Sequence, residues 1–180
     1  MGQFRVFGYG SLVHRGTHDH APTAPLRIRG WRRQWVHLAH RPVAVLTALP
    51  QIDSEIEGLV LPVAEADRPA LMQREAAYDP VVGADGLVIF SIPPDKHPPA
   101  TAPRPILQSY LDVVVAGYLA EFGIGGVARF FETTAGWEAP LLADRAAPRY
   151  PRHQRLGAEA LALCDAHVAR LGMRVLRPED

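Results

Sequence analysis

The chain has 180 residues, 48% of them apolar, and its 19 basic side chains balance 19 acidic ones. A chain of this length buries roughly 70% of its unfolded surface, enough for one core without disulfides or a structural metal. Its single cysteine, Cys164, cannot form an internal bridge. The balanced charge argues against a nucleic-acid or anionic-membrane partner. With no signal-peptide pattern and no run of about 18 apolar residues, we expect one cytoplasmic domain over residues 1–180.

Strands dominate the first half of the sequence. Apolar, aromatic and β-branched runs predict them at residues 4–7, 26–38, 43–49, 55–63 and 86–92. Gly58 inside the fourth run predicts a bulge or a close approach of another backbone. After this run, Asp67 is expected to cap a helix over residues 67–77, whose first turn tolerates Pro69.

Helices dominate the second half. The proline-rich segment 93–103 predicts an exposed, semi-rigid loop. Helical patterns follow at residues 106–122, 125–132 and 152–171, and the last is expected to end at Gly172. Because the strands come mostly before residue 92 and the helices mostly after it, the order predicts an α+β fold rather than an alternating α/β fold.

The first candidate site is the turn Tyr9-Gly10-Ser11-Leu12, directly after the first strand. Glycine lets the backbone bend so that successive N–H groups point at one spot, which suits a carboxylate or a developing oxyanion. A strand that ends in a glycine turn is also common as plain structure. Neither a Gly-Lys-Ser/Thr phosphate loop nor a complete dinucleotide fingerprint is present, so the turn predicts no nucleotide cofactor.

The second candidate is Glu75, on the helix predicted over residues 67–77. Leu71 lies four residues before it and Tyr78 three residues after it, which places Glu75 on an apolar helix face. Burial of a carboxylate raises its pKa toward the range in which it transfers protons near neutral pH. The competing interpretation is a solvated glutamate beside Arg74 on a surface helix.

Two other features leave alternatives open. His14, His18, Asp19 and His20 form a cluster that lacks the rigid helical spacing of a metal site, so we expect a solvated or substrate-lining loop and no metal. The segment 136–152 is rich in aromatic, Arg and Pro residues. It is interpreted either as a cover for the mouth of a site or as a contact in a homodimer.

Three segments, taken in chain order, resemble the gamma-glutamylcyclotransferase-like superfamily, closest to its ChaC branch. They are the 9–12 turn, the strand segment Glu57-Gly58-Leu59-Val60 and the segment from Leu71 to Tyr78. The resemblance covers about residues 4–92, and its most specific item is the Arg74-Glu75 pair followed by an aromatic residue. It implies a small mixed β-barrel with packed helices and a helix-rich C-terminal part.

The resemblance also implies the roles of individual residues. The backbone of Tyr9, Gly10, Ser11 and Leu12 binds the glutamyl end of the substrate, and Glu75 is the general acid and base. Two tyrosines are assigned to the substrate as well. Tyr78 shares the face of Glu75, and Tyr110 is the second-half tyrosine that family members often use, although an apolar stripe such as the one it forms with Tyr118 is usually core.

The function implied by the resemblance is a cofactor-free gamma-glutamylcyclotransferase of glutathione metabolism. It would convert the glutamyl part of glutathione, or of another γ-glutamyl amine or peptide, to 5-oxoproline. Ala76 and Ala77 stand where the branch commonly has glycines, which leaves the preferred substrate open. Two alternatives are kept: hydrolysis or transfer of a γ-glutamylamide on the same fold, and a non-catalytic binding module.

Overall fold

The structure is a computed structural model that describes residues 4–21 and 24–178. In chain order the strands are β1 (Phe4–Gly8), β2 (Ala24–Val36), β3 (Val45–Val63), β4 (Asp79–Val82), β5 (Leu87–Ser91), β6 (Ile106–Leu107), β7 (Thr134–Ala135), β8 (Leu141–Leu142) and β9 (Val175–Leu176). The helices are α1 (Arg68–Arg74), α2 (Gln108–Glu132) and α3 (Ala158–Arg170). Short 3-10 turns cover Ser11–Val13 and Arg15–Thr17.

Six strands form one mixed sheet in the order β4-β5-β1-β3-β2-β7. Inside this sheet β1 runs antiparallel to β3 and parallel to β5. The strands β6, β8 and β9 make a separate parallel sheet. The predicted α+β class is therefore confirmed.

The predicted β-barrel is wrong, because the six-stranded sheet is open. A barrel closes only when its first and last strands pair. Here the edge strands β4 and β7 are only four and two residues long, and within the described residues each pairs with a single neighbour, β5 and β2 respectively.

β3 is one strand where the sequence predicted two, at residues 43–49 and 55–63. It pairs with β2 along most of its length, from Ala24 opposite Val60 to Val36 opposite Val45. The polar residues between the two predicted strands lie where the register shifts, opposite Gly30, whose φ is 82°. A register shift of this kind is a β-bulge, and a glycine with positive φ accommodates it. The paired strands β2 and β3 therefore continue through a polar stretch that side-chain patterns assign to a loop.

The helices differ from the predicted ranges mainly at their ends. α1 ends at Arg74, so Glu75 is its C-terminal cap rather than a helical residue, and the side chain of Asp67 makes no capping hydrogen bond. α2 spans both predicted helices, 106–122 and 125–132, with a non-helical break at Gly123. α3 begins at Ala158 instead of residue 152, because the chain before it bonds elsewhere: the Gln154 amide donates to the Gly16 carbonyl.

By length and composition α2 is apolar enough to cross a membrane, which the sequence analysis did not predict. Half of its most apolar window is buried inside the fold, as in the core helix of a globular protein. The buried face also carries Asp112, which forms an ion pair with Arg145 at 2.8 Å. A buried and paired carboxylate favours a core helix.

Two close backbone approaches position the turn that follows β1. A Cβ at Gly58 would lie 2.3 Å from the Gly8 carbonyl oxygen, so the close approach predicted at Gly58 is confirmed. On the other side, a Cβ at Gly117 of α2 would lie 2.7 Å from the His14 nitrogen. The two glycines let β3 and α2 contact the backbone on both sides of residues 9–12.

Candidate active site

A cleft of about 170 Å³ lies where β1 ends. Its walls come from six parts of the chain: residues 7–12, Leu46 of β3, residues 74–78, Phe90 of β5, α2, and the segment before α3. All the residues assigned from the sequence line it, namely Tyr9, Gly10, Ser11, Leu12, Glu75, Tyr78 and Tyr110. Their chemical roles stay predictions, but the structure brings them to one place.

The turn at residues 10–14 leaves part of its backbone unpaired. The two hydrogen bonds that close it run from the Val13 N–H to the Gly10 carbonyl and from the His14 N–H to the Ser11 carbonyl. Among the described residues, the N–H groups of Gly10 and Leu12 have no backbone acceptor in this turn. Both residues line the cleft, and donors of this kind suit an oxyanion or a carboxylate.

Gly10 is required by a close approach. A Cβ at this position would lie 2.6 Å from the Tyr110 hydroxyl oxygen and 3.3 Å from a methyl group of Leu46. The Tyr110 hydroxyl is therefore held against the turn, and it contributes a polar atom to the same wall of the cleft as the Gly10 backbone.

Glu75 enters the cleft from the end of α1. Its N–H still bonds to the Leu71 carbonyl at 2.9 Å, but its backbone, at φ −97° and ψ 20°, has left the helix. Only 13% of its side chain is exposed, and its Oε1 lies 3.2 Å from Arg74 Nε. The prediction of an inward-facing Glu75 is met by this geometry, although a helix cap and not a helical face positions it.

Burial raises the pKa of Glu75 above its ordinary value, while the positive charges of Arg74 and Arg152 act in the opposite direction. The upward direction prevails because burial is the largest of these effects. Arg74 also donates to the Thr17 carbonyl at 3.0 Å and to Ser11 Oγ at 3.3 Å. A carboxyl with a raised pKa is suited to accept and donate a proton near neutral pH.

The three tyrosines assigned from the sequence, Tyr9, Tyr78 and Tyr110, also line the cleft. The Tyr9 hydroxyl donates to the Phe90 carbonyl at 2.5 Å and the Tyr78 hydroxyl donates to the Leu46 carbonyl at 2.8 Å. Burial raises the pKa of both groups and of Tyr110 above the ordinary phenol value. The three phenols therefore stay protonated and neutral, and Glu75 is the acidic side chain that lines the cleft.

Sequence reasoning did not assign Tyr150 and Arg152 to the site, yet both line the cleft. The segment that carries them is held on α2 by the buried Asp144, which accepts hydrogen bonds from the Ser109 N–H, the Ser109 hydroxyl and the Arg149 N–H. Of the two interpretations of segment 136–152, this placement supports a cover for the site. The homodimer stays a prediction. The only sequence signal was the density of aromatic and Arg residues.

The other candidates lie outside the cleft. The His18 ring donates to the Leu12 carbonyl at 3.0 Å, and His14 Nδ1 accepts from the Gly16 N–H, so both rings brace the loop. No group of three metal-binding side chains occurs within the described residues. Cys164 is a buried free thiol, and the Tyr118 hydroxyl lies 2.9 Å from the Tyr9 carbonyl in the core.

Solved structures share this fold. One titled gamma-glutamyl cyclotransferase has a TM-score of 0.54 and 11% identity, over 92% of this chain and 99% of its own. An uncharacterized protein from Homo sapiens matches with the same score and coverage at 12% identity. YkqA from Bacillus subtilis has a TM-score of 0.54 and 16% identity, over 76% of this chain and 57% of its own.

The chain has the gamma-glutamyl cyclotransferase fold. The resemblance found in the sequence is thus confirmed at the level of the superfamily fold. No protein-family model and no curated relative matches the sequence. At 11–16% identity the likeness concerns the fold, so the ChaC branch and the roles of individual residues stay predictions.

Proposed function

We propose that the protein is a gamma-glutamylcyclotransferase that acts on glutathione or on another γ-glutamyl amine or peptide. The observation that carries the proposal is one buried acid, Glu75, in the same cleft as Gly10 and Leu12, whose N–H groups have no backbone acceptor in the turn. The shared fold supports the enzyme class. The balanced charge of the chain suits a small zwitterionic substrate better than a nucleic acid.

The reaction needs no cofactor, because a γ-glutamyl amide carries its own nucleophile. The α-amine attacks the γ-carbonyl carbon, a new C–N bond closes the five-membered lactam, and the C–N bond to the leaving amine breaks. Glu75 takes the proton that the attacking nitrogen loses and delivers a proton to the departing nitrogen. The products are 5-oxoproline and a free amine, and no water is consumed.

The remaining cleft residues supply orientation and charge stabilisation. The N–H groups of Gly10 and Leu12 would hold the glutamyl group and the oxyanion that forms on the carbonyl oxygen. The neutral Tyr110 hydroxyl beside the turn would offer a further donor, since the Tyr9 and Tyr78 hydroxyls already donate to carbonyl oxygens. The cleft volume also fits, since a cavity of roughly 150 Å³ accommodates a benzene ring and about 170 Å³ suits a glutamyl group.

The direct test is release of 5-oxoproline from glutathione and a panel of γ-glutamyl dipeptides by the purified protein. We expect Glu75→Gln to lower kcat/KM by about 10²- to 10⁴-fold, the range of general acid–base catalysis. Glu65→Gln is the matched control, because the Glu65 side chain is 75% exposed and lies outside the cleft. A folded Glu75→Gln variant with full activity would contradict the role of Glu75.

Product identity separates the alternatives. Cyclisation releases 5-oxoproline, whereas a γ-glutamylamide hydrolase on the same fold would release glutamate because water replaces the α-amine as nucleophile. A non-catalytic binding module would bind the γ-glutamyl compound without turnover. The buried acid favours a catalytic role over this module, since burial of a carboxyl without a reaction to serve only costs stability.

A further inference from the structure

A second cavity, the apolar chamber, adjoins the cleft and shares lining residues with it. It measures about 240 Å³, and aliphatic side chains form much of its lining, including Val43, Val45 and Leu107. Leu107 is buried, and Val43 and Val45 are half-buried. The chamber has no role in the cyclisation itself.

The chamber and the cleft share one wall, made of Leu46, Tyr78, Tyr110 and Tyr150. The Tyr110 and Tyr150 rings pack edge to face with centroids 5.0 Å apart. The Tyr110 hydroxyl lies against Gly10 on the cleft side. This wall is therefore polar at the tyrosine hydroxyls and apolar at the rings, as tyrosine allows.

The charges around the chamber restrict what it binds. Among the described residues no carboxylate and no lysine line it, and its only charged side chain, Arg149, is exposed. A group with a positive charge would enter unpaired and lose its hydration without compensation. Hydrocarbon is the occupant that this lining stabilises.

A recess of different character adjoins the cleft on another side. It shares Arg74 and Arg152 with the cleft and also contains His18, Asp19 and Asp67. This recess suits a charged group, so the leaving half of a substrate meets two chemically distinct surfaces.

Resting on the proposed function, we propose that the apolar chamber binds an aliphatic or aromatic side chain on the leaving amine. The substrate class is then a γ-glutamyl amine or peptide whose group next to the scissile bond is a sizeable hydrocarbon. Of the two cavities described next to the cleft, the chamber is the one that can bury a hydrocarbon group without also burying a charge.

The test compares γ-glutamyl-leucine, γ-glutamyl-glycine and γ-glutamyl-glutamate by 5-oxoproline release. Burial of a leucine side chain predicts a kcat/KM roughly 10- to 100-fold higher for γ-glutamyl-leucine than for γ-glutamyl-glycine. Equal values for these two, or the highest value for γ-glutamyl-glutamate, would overturn the inference while leaving the cyclotransferase proposal intact. Turnover of glutathione without turnover of the three dipeptides would also overturn the inference. If neither the three dipeptides nor glutathione releases 5-oxoproline, the proposed function itself fails.

A chamber variant tests the location of the subsite. Val43 lines the chamber and not the cleft, so Val43→Phe is expected to fill the chamber and bring the leucine-to-glycine ratio of kcat/KM close to one. Val82→Phe is the control, because Val82 is 65% exposed on β4. Taking the ratio within each variant cancels any loss of folded protein. An unchanged ratio in Val43→Phe would place the preference elsewhere.

Discussion

Glu75 is the residue in which structure and chemistry are most closely linked. Its carboxyl is shielded from solvent yet placed beside Arg74, which also reaches Ser11 and Thr17. The arginine therefore connects the acid to the turn at residues 9–12. Displacement of either element would separate the proposed proton-transfer group from the N–H groups proposed to stabilise the oxyanion.

The raised pKa of Glu75 predicts a pH-dependent difference in stability. A carboxyl whose pKa is higher in the folded chain than in the unfolded chain stabilises the fold only while protonated. That contribution is complete below the unfolded pKa of about 4.3 and is lost as pH rises through the folded pKa. Glutamine cannot ionise, so the Glu75→Gln variant does not lose stability in this way as the pH rises. The free energy of unfolding of the variant minus that of the parent should therefore increase from about pH 4 to about pH 8. Urea unfolding of both proteins at several pH values measures this, and a constant difference would contradict the burial effect.

The two alanines after Glu75 illustrate how the fold accepts a change in motif. Among the described residues, no residue other than glycine has a positive φ, so neither Ala76 nor Ala77 needs the conformational freedom of glycine. The Ala77 carbonyl accepts a hydrogen bond from His97, in the proline-rich loop, at 2.8 Å. The loop thus fixes the backbone between Glu75 and Tyr78 without requiring glycine there.

At the scale of elements, the approach of β3 to β1 decides where the 9–12 turn lies. Gly58 of β3 faces the Gly8 carbonyl and the Phe7 ring so closely that no side chain fits between them. Gly117 of α2 likewise lies so close to the His14 backbone that no side chain fits between them. The turn is therefore positioned by backbone-to-backbone contact, which is stiffer than contact through long side chains.

We expect Gly58→Ala to destabilise the protein more than an ordinary glycine substitution. The new Cβ would lie 2.3 Å from a backbone oxygen and 2.6 Å from the Phe7 ring, so backbone must move, at a cost of roughly 1–3 kcal/mol or more. Gly157→Ala is the control, because a Cβ there meets nothing within 4 Å. Chemical denaturation compares the two, and similar losses would show that the close approach is not limiting.

At the scale of the whole molecule, the cleft is assembled from both halves of the chain. The first half supplies the turn, Glu75 and Tyr78, and the second half supplies Tyr110, Tyr150 and Arg152. Ser109 and Asp144 hold the late segment on the start of α2 across 35 residues of sequence. The site therefore depends on the docking of the C-terminal part as well as on the sheet.

This docking predicts a graded effect of two substitutions. Asp144→Ala removes a fully buried acceptor of three hydrogen bonds, and we expect a loss of about 3 kcal/mol in the free energy of unfolding. Ser109→Ala removes two hydrogen bonds, the one from its hydroxyl to Asp144 and the one from the Tyr150 N–H, but keeps the Ser109 N–H bonded, so about 2 kcal/mol is expected. Thermal and urea unfolding measure both. Equal losses would indicate that Asp144 is not the central acceptor.

Local patterns were sufficient where a feature depends on neighbouring residues. The strand before residue 9, the helix before Glu75, the break at Gly123 and the close approach at Gly58 all follow from short-range patterns of apolar residues, glycine and proline. The short strands β6 to β9 were not predicted. Two-residue strands carry no periodicity, and only their partners define them.

The sequence by itself determined the α+β class and the turn at residues 9–12, because both follow from local patterns of apolar residues and glycine. Its resemblance to a known family added Glu75 as a candidate, but the residues alone left open whether this side chain is buried. Only the tertiary structure decided that Glu75 faces the cleft, that the sheet stays open, that Tyr150 and Arg152 join the cleft, and that an apolar chamber adjoins it. These features arise from contacts between residues far apart in the chain. Such contacts are set by packing and by buried hydrogen bonds such as those of Asp144, which leave no periodic trace in the sequence.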